Sequence, residues 1–331
     1  MPAQDADAGP RPARARPARR RHAAYRGYRG AEALTRLLPH RLNYAAGALL
    51  GDLALLSRPR RFDALRGNLR RVLPQASDRE LRRVVRANVR NLARCWVDVM
   101  EMPHRAAALS ARVHPINVEN MTGPLARGRG VVIVSLHLGS WEVGLAGWNH
   151  RFGRMALLAE SLQPPELFAR IVAARGNLGV TVIPIDTAAM RSADDLTARR
   201  LGAAALRQVM RTLRGNGMVA MAIDRDLIGT GELLPFFGAP APIPVGVVEV
   251  AIRSGAAIVP VVLLRAGDAV VAPCFPEIAY DAKAPRDAEV RRVTTEVLRT
   301  LEPVIREHPE QWHVLEPIWR SDARAEVAGA A

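Results

Sequence analysis

The chain has 331 residues, of which 49% are apolar, and this length suits one large α/β domain with an extra helical element, or two small domains. Its two cysteines, Cys95 and Cys274, lie far apart without a CxxC or Cys/His cluster, which argues against a disulfide framework and a zinc site. The formal charge of +15 comes almost wholly from arginine, because Lys283 is the only lysine. Such a charge attracts polyanions, either nucleic acid or the anionic lipids of a cytoplasmic leaflet, and does not choose between them.

Residues 1–30 form a basic segment with eight arginines between Arg11 and Arg29. Pro, Ala and Arg alternate there without apolar periodicity, which predicts a disordered tail. The segment lacks the continuous apolar core of a secretory signal, so export is not expected. Residues 321–331 are predicted to form a short C-terminal tail.

The most apolar stretch is LNYAAGALLGDLALL, which begins at Leu42. It is interrupted by Asp52 and is shorter than the roughly 20 apolar residues that a membrane span requires. The sequence therefore predicts a helix that either lies on a bilayer or is buried in the fold.

Residues 58–102 show helical periodicity and are predicted to form an α-hairpin. Ser77 and Glu80 have the spacing of a capping box, and apolar residues follow at helical spacing. We therefore divide the expected domain, residues 31–320, into N-terminal helices at 31–110 and a core at 111–320.

Strand-like and helix-like apolar runs alternate through the core. In chain order they are VVIVSLH, PPELFARIVAARG, VTVIPID, LGAAALRQVMRTLRGNG, MVAMAID, PVGVVEVAIRSG and AAIVPVVLLR. This alternation predicts an α/β fold with a mainly parallel central sheet covered by helices. A last helix is expected from Asp287 towards His308.

Polar residues follow three of the predicted strands. They are His137 after the first, Asp186 after the second, and Asp224, Arg225 and Asp226 after the third. Because ligands of open α/β sheets bind outside the carboxyl ends of the strands, this edge is the expected site.

His137 and Glu142 are the candidate catalytic pair. A helix that begins near Ser140 would hold Glu142 in its first turn, where the carboxylate could keep one imidazole nitrogen protonated and leave the other to accept a proton. The helix start would also direct the amides near Gly139 and Ser140 at developing negative charge. The alternative is that Glu142 caps the helix and His137 is a hydrogen-bonded loop residue.

Motifs of other chemistries are missing from the sequence. It contains no GxSxG, Walker A, GxGxxG after a strand, or HExxH, which disfavours serine-nucleophile, nucleotide-dependent and zincin mechanisms. A histidine base without its own nucleophile suits a transfer reaction in which the acceptor hydroxyl attacks directly.

Several segments together resemble one bacterial family. They are HLGSWE at 137–142, AESLQPPELF from Ala159, Arg175 before GNLGVTVIPID, AIDRDLIGTGELLPFFGAPAPIPVG from Ala222, and QWHVLEPIW from Gln311. Over roughly residues 30–320, they resemble the lysophospholipid-type acyltransferases that include the lipid A lauroyl and myristoyl transferases. The resemblance is closest to the phosphatidylinositol mannoside acyltransferases of actinobacteria.

This resemblance implies a glycerol-phosphate-acyltransferase-like fold and acyl transfer from acyl-CoA or acyl carrier protein to a sugar hydroxyl of a membrane glycolipid. The acyl donor would be a co-substrate, with no other cofactor and no metal. His137 would be the general base and Glu142 would orient it. The resemblance assigns substrate binding to Glu160, Arg175, Asp224, Arg225 and Asp226.

Two departures from the family pattern concern the acceptor. Many mannoside-type relatives have Asn-Trp-Asp where this chain has Ser140, Trp141 and Glu142. The segment from Asp186 to Leu201 is longer and more charged than expected, which predicts an altered edge of the acceptor groove.

The resemblance, the basic segment and the interrupted apolar stretch together give the expected partners and cellular location. We expect a monomer, peripheral on the cytoplasmic face of the plasma (inner) membrane, which contacts anionic lipids, a glycolipid acceptor and an acyl donor, and no nucleic acid. The alternatives are a lipid A precursor acyltransferase, a basic nucleic-acid-binding protein and a non-catalytic lipid-binding relative. Intact His137 and Glu142 argue against the last.

Overall fold

The computed structural model describes residues 18–193 and 195–319. Four helices precede the sheet, with a short 3₁₀ turn at Pro59–Phe62. They are α1 (Ala18–Leu37), α2 (His40–Ser57), α3 (Asp63–Val72) and α4 (Asp78–Ala111). The predicted capping box is confirmed at the start of α4, where Ser77 and Glu80 bond each other's backbone amides.

The N-terminal segment is helical where the sequence predicted disorder. Helix α1 begins at Ala18, so the prediction is wrong for residues 18–30, whereas residues 1–17 and the predicted tail at 321–331 lie outside the described residues. The segment is ordered because of contacts with residues that are distant in the sequence. Tyr28 is buried with Val99 and Ile171, and the carboxylate of Glu32 accepts two hydrogen bonds from Arg170. These contacts offset the conformational entropy that the segment loses when it becomes ordered, which the local sequence alone would not do.

The remaining elements form the α/β core. The helices are α5 (Glu119–Ala126), α6 (Trp141–Phe152), α7 (Pro165–Asn177), α8 (Thr187–Ser192), α9 (Asp195–Arg214), α10 (Gly246–Ser254) and α11 (Arg286–Glu307). The strands are β1 (Val113–Ile116), β2 (Val131–Ser135), β3 (Met155–Glu160), β4 (Val180–Ile185), β5 (Met218–Ala222), β6 (Glu232–Phe236), β7 (Ala239–Ile243), β8 (Ala257–Pro260), β9 (Leu264–Ala266) and β10 (Ala269–Pro273).

The central sheet has five strands in the order β4-β3-β5-β2-β8, and all its pairings are parallel. The predicted fold class is therefore confirmed. Strand β2 is buried along its whole length, and alternate residues enter two cores: Val132 and Val134 pack in one, Val131 and Ile133 in the other. Burial on both faces explains why this strand reads as a continuous apolar run.

Some strands were not recognised in the sequence. Strand β3 lies between β4 and β5, while β6 and β7 form an antiparallel hairpin and β1, β10 and β9 form a separate sheet. Only three residues separate the end of β3 at Glu160 from PPELFARIVAARG, and β3 was not separated from the segment around it in the sequence.

Candidate active site

The predicted site residues converge on one edge of the sheet. Glu160 ends β3, Asp224 and Arg225 follow β5, and His137 follows β2. These three strands are neighbours in the sheet and run parallel, so their carboxyl ends meet at one edge. Asp186 follows the outer strand β4, where its carboxylate accepts from the amide of Ala189 and caps helix α8.

The carboxylate that contacts the imidazole of His137 belongs to Asp224. Its Oδ1 lies 2.8 Å from Nδ1 of His137, and its Oδ2 accepts from the backbone amide of the same residue at 2.8 Å. The side chain of Asp224 is fully buried, whereas that of His137 is 31% exposed. Asp224 was expected to bind substrate, and in the structure its carboxylate contacts His137.

Asp224 is held in a charged state by its hydrogen bonds. Burial opposes the charge, but the nearby imidazole, the amide of His137 and the indole of Trp312, which donates to Oδ2 at 2.8 Å, outweigh it. The pKa of Asp224 therefore lies below its usual range. An ionised carboxylate accepts a hydrogen bond, so Nδ1 of His137 carries a proton, and in the neutral form of the imidazole Nε2 has a free lone pair.

Glu142 has a different partner from the one the sequence predicted. It lies in the first turn of α6, as expected, but its carboxylate accepts from Nε of Arg175 at 3.2 Å and also from Nη2. Arg175 lies in the last turn of α7, and both side chains are largely buried. Burial opposes the charge of Arg175, but Glu142 outweighs it and raises the pKa of the guanidinium.

The amides of Gly139 and Ser140 do not point at a substrate, contrary to expectation. Gly139 donates to the carbonyl of Gln311 at 2.8 Å, and Ser140 donates to that of Leu263 at 2.9 Å. Gly139 has a φ of 71°, and a Cβ there would lie 1.7 Å from the carbonyl oxygen of Leu263. This glycine therefore lets the loop approach the neighbouring backbone.

The loop after β2 is also held by a buried polar cluster that the sequence analysis missed. Asp98 of α4 accepts from the hydroxyl of Ser140 at 2.7 Å, from Arg265 at 2.7 Å and from the hydroxyl of Tyr44 at 2.5 Å. These residues are spread over the sequence and belong to no recognised motif. Only tertiary packing brings them together.

A pocket with a cavity volume of about 390 Å³ opens beside His137. Most of its wall is apolar, while polar groups are confined to a few positions, as in sites that bind a largely apolar ligand. Its charged or polar lining consists of His137, Glu142, Glu160, Arg175, Arg225 and His313. Its large apolar side chains are Leu92, Trp96, Val99, Trp141, Leu157, Leu158, Leu162, Ile171, Ile185, Met221 and Leu227.

The consecutive residues Asp224, Arg225 and Asp226 make three different kinds of contact. Asp224 contacts His137, as described above. Arg225 lies 3.8 Å from Glu160 and donates to Glu316 at 2.9 Å, and its buried Nε has no hydrogen-bond partner among the described residues. Asp226 accepts from the amides of its own loop, at residues 228, 229 and 231.

Comparison with known proteins matches residues 19–321 to the model of the bacterial lipid A biosynthesis acyltransferase family. The chain is 27% identical, over 89% of its length and 91% of the relative, to a phosphatidylinositol mannoside acyltransferase of Mycolicibacterium smegmatis. It is 28% identical, over 78% of both chains, to a protein of the same name from Mycobacterium tuberculosis. The resemblance predicted from the sequence is confirmed. The chain therefore belongs to the bacterial lipid A biosynthesis acyltransferase family and is an acyltransferase.

Proposed function

We propose that the protein transfers a fatty acyl chain from acyl-CoA or acyl carrier protein to a sugar hydroxyl of a phosphatidylinositol mannoside. The observation that carries this proposal is the pair formed by His137 and Asp224 at the wall of a largely apolar pocket. The pocket offers apolar surface for an acyl chain. The names of the relatives support the mannoside acceptor, and the alternative acceptor is a lipid A precursor.

His137 would act as the general base. As the acceptor oxygen attacks the thioester carbonyl, Nε2 takes the hydroxyl proton, and Asp224 stabilises the imidazolium that forms. When the tetrahedral intermediate collapses, the carbon–sulfur bond breaks and the departing sulfur takes the proton from Nε2. The product is an ester and a free thiol, and His137 returns to its starting state.

Arg225 is our candidate for contact with negative charge in the substrates. Its Nε is a donor without a partner among the described residues, and its side chain lines the pocket. It would donate either to the oxyanion or to a phosphate. Glu160, also at the pocket wall, accepts from Thr187 at 2.5 Å and would bind acceptor hydroxyls.

Arg175 and Glu142 would act as a pair. Because each satisfies the charge of the other, the pair would set the shape and polarity of the pocket wall where the acceptor binds. Asp226 would act indirectly, by holding the loop after Arg225.

The function is tested with the full chain, palmitoyl-CoA and vesicles that contain either phosphatidylinositol mannoside or a lipid A precursor. We expect free thiol and an acylated mannoside, identified by mass spectrometry. Acylation of the lipid A precursor alone would favour the alternative acceptor. Mass spectrometry of lipids from a deletion strain would identify the natural product.

We further propose peripheral attachment to the cytoplasmic face of the plasma membrane through α1 and α2. No helix within the described residues is long and apolar enough to cross a membrane. Large apolar side chains nevertheless lie exposed along these helices and their connection, and Leu37 and Leu56 are 78% and 79% exposed. Among the described residues, these side chains are Leu34, Leu37, Leu38, Leu42, Leu49, Leu50, Leu53 and Leu56, which we call the leucine surface.

The opposite side of α2 explains why its leucines face outwards. Buried Asn43, Tyr44, Gly47 and Gly51 pack against α4, and a Cβ on Gly47 would lie 2.9 Å from a methyl group of Val97. Glycines and two polar residues that donate hydrogen bonds to α4 thus take the inner side of α2. An exposed patch of this extent is typical of a lipid or protein contact.

Charge favours an anionic bilayer as the partner of this surface. Exposed arginines flank the leucine surface at Arg36, Arg41, Arg58, Arg60 and Arg61. Each arginine near an anionic surface contributes about 1 kcal/mol to attachment, and salt screens this attraction. The leucines contribute apolar burial that salt does not screen.

Vesicle flotation with phosphatidylglycerol vesicles separates these contributions. We expect Leu53→Ser combined with Leu56→Ser to weaken binding at least about tenfold at high salt, because two side chains lose apolar burial. Leu233→Ser is the matched control, since Leu233 is 54% exposed on β6 and outside the leucine surface. Equal binding by all three proteins would contradict the proposal.

The first part of the basic segment, residues 1–17 with Arg11, Arg14 and Arg16, is tested separately by deletion. We expect weaker attachment at low salt and unchanged turnover of soluble substrates, because no candidate site residue lies there. If the full chain binds DNA as tightly as anionic vesicles, in a salt-sensitive manner, the nucleic-acid alternative regains support.

A further inference from the structure

A second histidine, His313, lies directly beside His137. Leu138 and Trp312 form an antiparallel bridge, and the amide of His313 donates to the carbonyl of His137 at 2.7 Å. These two histidines are therefore cross-strand partners, whose side chains leave the same side of the paired backbone. Both imidazoles line the pocket.

The hydrogen bonds of Asn88 fix the tautomer of His313. The side-chain amide of Asn88 donates to the carbonyl of Pro309 at 2.9 Å and to that of Trp312 at 2.7 Å. Its oxygen must therefore be the atom that lies 3.0 Å from Nδ1 of His313. Nδ1 accordingly carries the proton, and Nε2 is an acceptor.

Nε2 of His313 is available to a ligand. The sulfur of Cys95 lies 3.8 Å from this nitrogen, but its single hydrogen has a nearer acceptor in the carbonyl of Gly139, at 3.2 Å. Among the described residues, no other hydrogen bond to Nε2 is present, and the ring lines the pocket.

The imidazole of His313 also remains neutral. Burial, the nearby guanidinium of Arg265 and the imidazole of His137 lower its pKa to about 3. His137 has a carboxylate to stabilise its cation, whereas His313 has only the neutral amide of Asn88. The ring of His137 can thus serve as a base, whereas the ring of His313 stays a neutral hydrogen-bond acceptor.

We infer that His313 is a specificity-determining residue that binds a second hydroxyl of the acceptor through Nε2, next to the hydroxyl that His137 activates. The ligand class is a polyol with neighbouring hydroxyls, such as a sugar ring. This inference rests on the proposed function. It adds a contact to a second hydroxyl, which a sugar has and a simple alcohol lacks. The second hydroxyl donates to Nε2 and does not react.

Two variants distinguish the role of Nδ1 of His313 from that of Nε2. In His313→Asn the amide still reaches Asn88 but the acceptor at Nε2 is lost, whereas His313→Gln can return an oxygen near Nε2 and loses the bond to Asn88. The matched control is His114→Asn, because His114 is exposed and lies outside the pocket.

The probes are palmitoyl-CoA with either octyl mannoside or 1-octanol, which has one hydroxyl. We expect His313→Asn to lower kcat/KM for octyl mannoside about tenfold, with an increase in KM for that acceptor, and to leave 1-octanol and the KM for palmitoyl-CoA unchanged. His313→Gln should recover part of the loss. Equal losses with both acceptors, or an increased KM for palmitoyl-CoA, would overturn the inference.

A measurement that does not depend on turnover tests the inference independently of the proposed function. Long-range ¹H–¹⁵N NMR spectra of the wild-type protein report which imidazole nitrogen carries the proton. We expect the Nδ1-protonated form of His313, and an Nε2-protonated ring would overturn the inference. If the tautomer is as expected but the wild-type protein acylates neither probe nor any glycolipid, the proposed function fails instead.

Discussion

Asp224 and Glu142 are both buried carboxylates near one pocket, but they lie in different surroundings. Asp224, behind His137 after β5, accepts hydrogen bonds from an imidazole, a backbone amide and an indole. Glu142, at the start of α6, is paired with the guanidinium of Arg175 on α7. One carboxylate faces an imidazole, which can carry one or two protons, and the other faces a permanent cation.

This difference determines which carboxylate can assist proton transfer. A guanidinium stays protonated at every relevant pH, so the charge of Glu142 is compensated throughout a catalytic cycle. The negative charge of Asp224 has a full positive counter-charge only when His137 accepts a proton. Asp224 therefore favours the imidazolium that would form during the reaction, whereas Glu142 has little additional stabilisation to give.

The largest effect is expected from removing the imidazole. His137→Ala should lower kcat about 10²–10⁴-fold, because a general base contributes this much. The assay measures thiol release from palmitoyl-CoA, with His114→Ala as the exposed control and vesicle flotation to verify membrane binding. Turnover at the wild-type rate would exclude His137 as the base.

Asp224→Asn should lower kcat about 10²-fold with little change in acceptor KM. The amide oxygen would remain with the two donors at Oδ2, so the NH₂ group would face Nδ1 of His137. His137 would then adopt the opposite tautomer and lose the lone pair at Nε2. NMR spectra of the ring nitrogens check this tautomer, and full activity with a changed tautomer would refute the role of Asp224.

Glu142→Gln should lower kcat/KM about tenfold, less than Asp224→Asn, because it leaves Arg175 buried without its counter-charge. A double-mutant cycle with Arg175→Met sharpens the comparison. If Glu142 acts through Arg175, the double variant should cost no more than the larger single effect. Glu142→Asp should be milder than Glu142→Gln because it keeps the charge.

If Glu142 instead orients His137, as the resemblance implies, Glu142→Gln should cost as much as Asp224→Asn. It should then also change the tautomer of His137. This outcome would reverse the assignment of the two carboxylates.

The smallest expected effect concerns stability and pH. The pKa of His313 is about 3 in the folded protein and about 6.5 in the unfolded chain, so only the unfolded state binds this proton in the interval between them. The free energy of unfolding should therefore decrease on acidification through this interval, by at most about 1.4 kcal/mol per pH unit from this group. His313→Asn should remove this contribution, as measured by urea denaturation at pH 7 and pH 5.

Local patterns predicted much of the fold. The alternation of apolar runs predicted a mainly parallel sheet covered by helices, and the structure confirms it, with β2 buried along its whole length. The last helix was expected from Asp287 and is observed at Arg286–Glu307. Disorder was wrongly predicted for residues 18–30, because the contacts of Tyr28 and Glu32 come from residues more than 60 positions away.

The sequence also identified which residues gather at the site, but not their partners. His137, Glu142, Glu160, Arg175 and Arg225 all line one pocket. The short spacing between His137 and Glu142 suggested a pair, whereas the contact at Nδ1 comes from 87 residues away. Sequence proximity favoured the wrong carboxylate for this contact, because adjacent parallel strands bring distant residues together at their ends.

The amino-acid sequence by itself determined the fold class, four of the five strands of the central sheet and the family, because these depend on local periodicity and on motifs in a fixed order. Only the tertiary structure decided that Asp224 partners His137, that Glu142 partners Arg175, and that the leucines of α2 face outwards. The physical reason is that charges and hydrogen bonds act over a few ångströms in space, and folding sets those distances independently of separation along the chain.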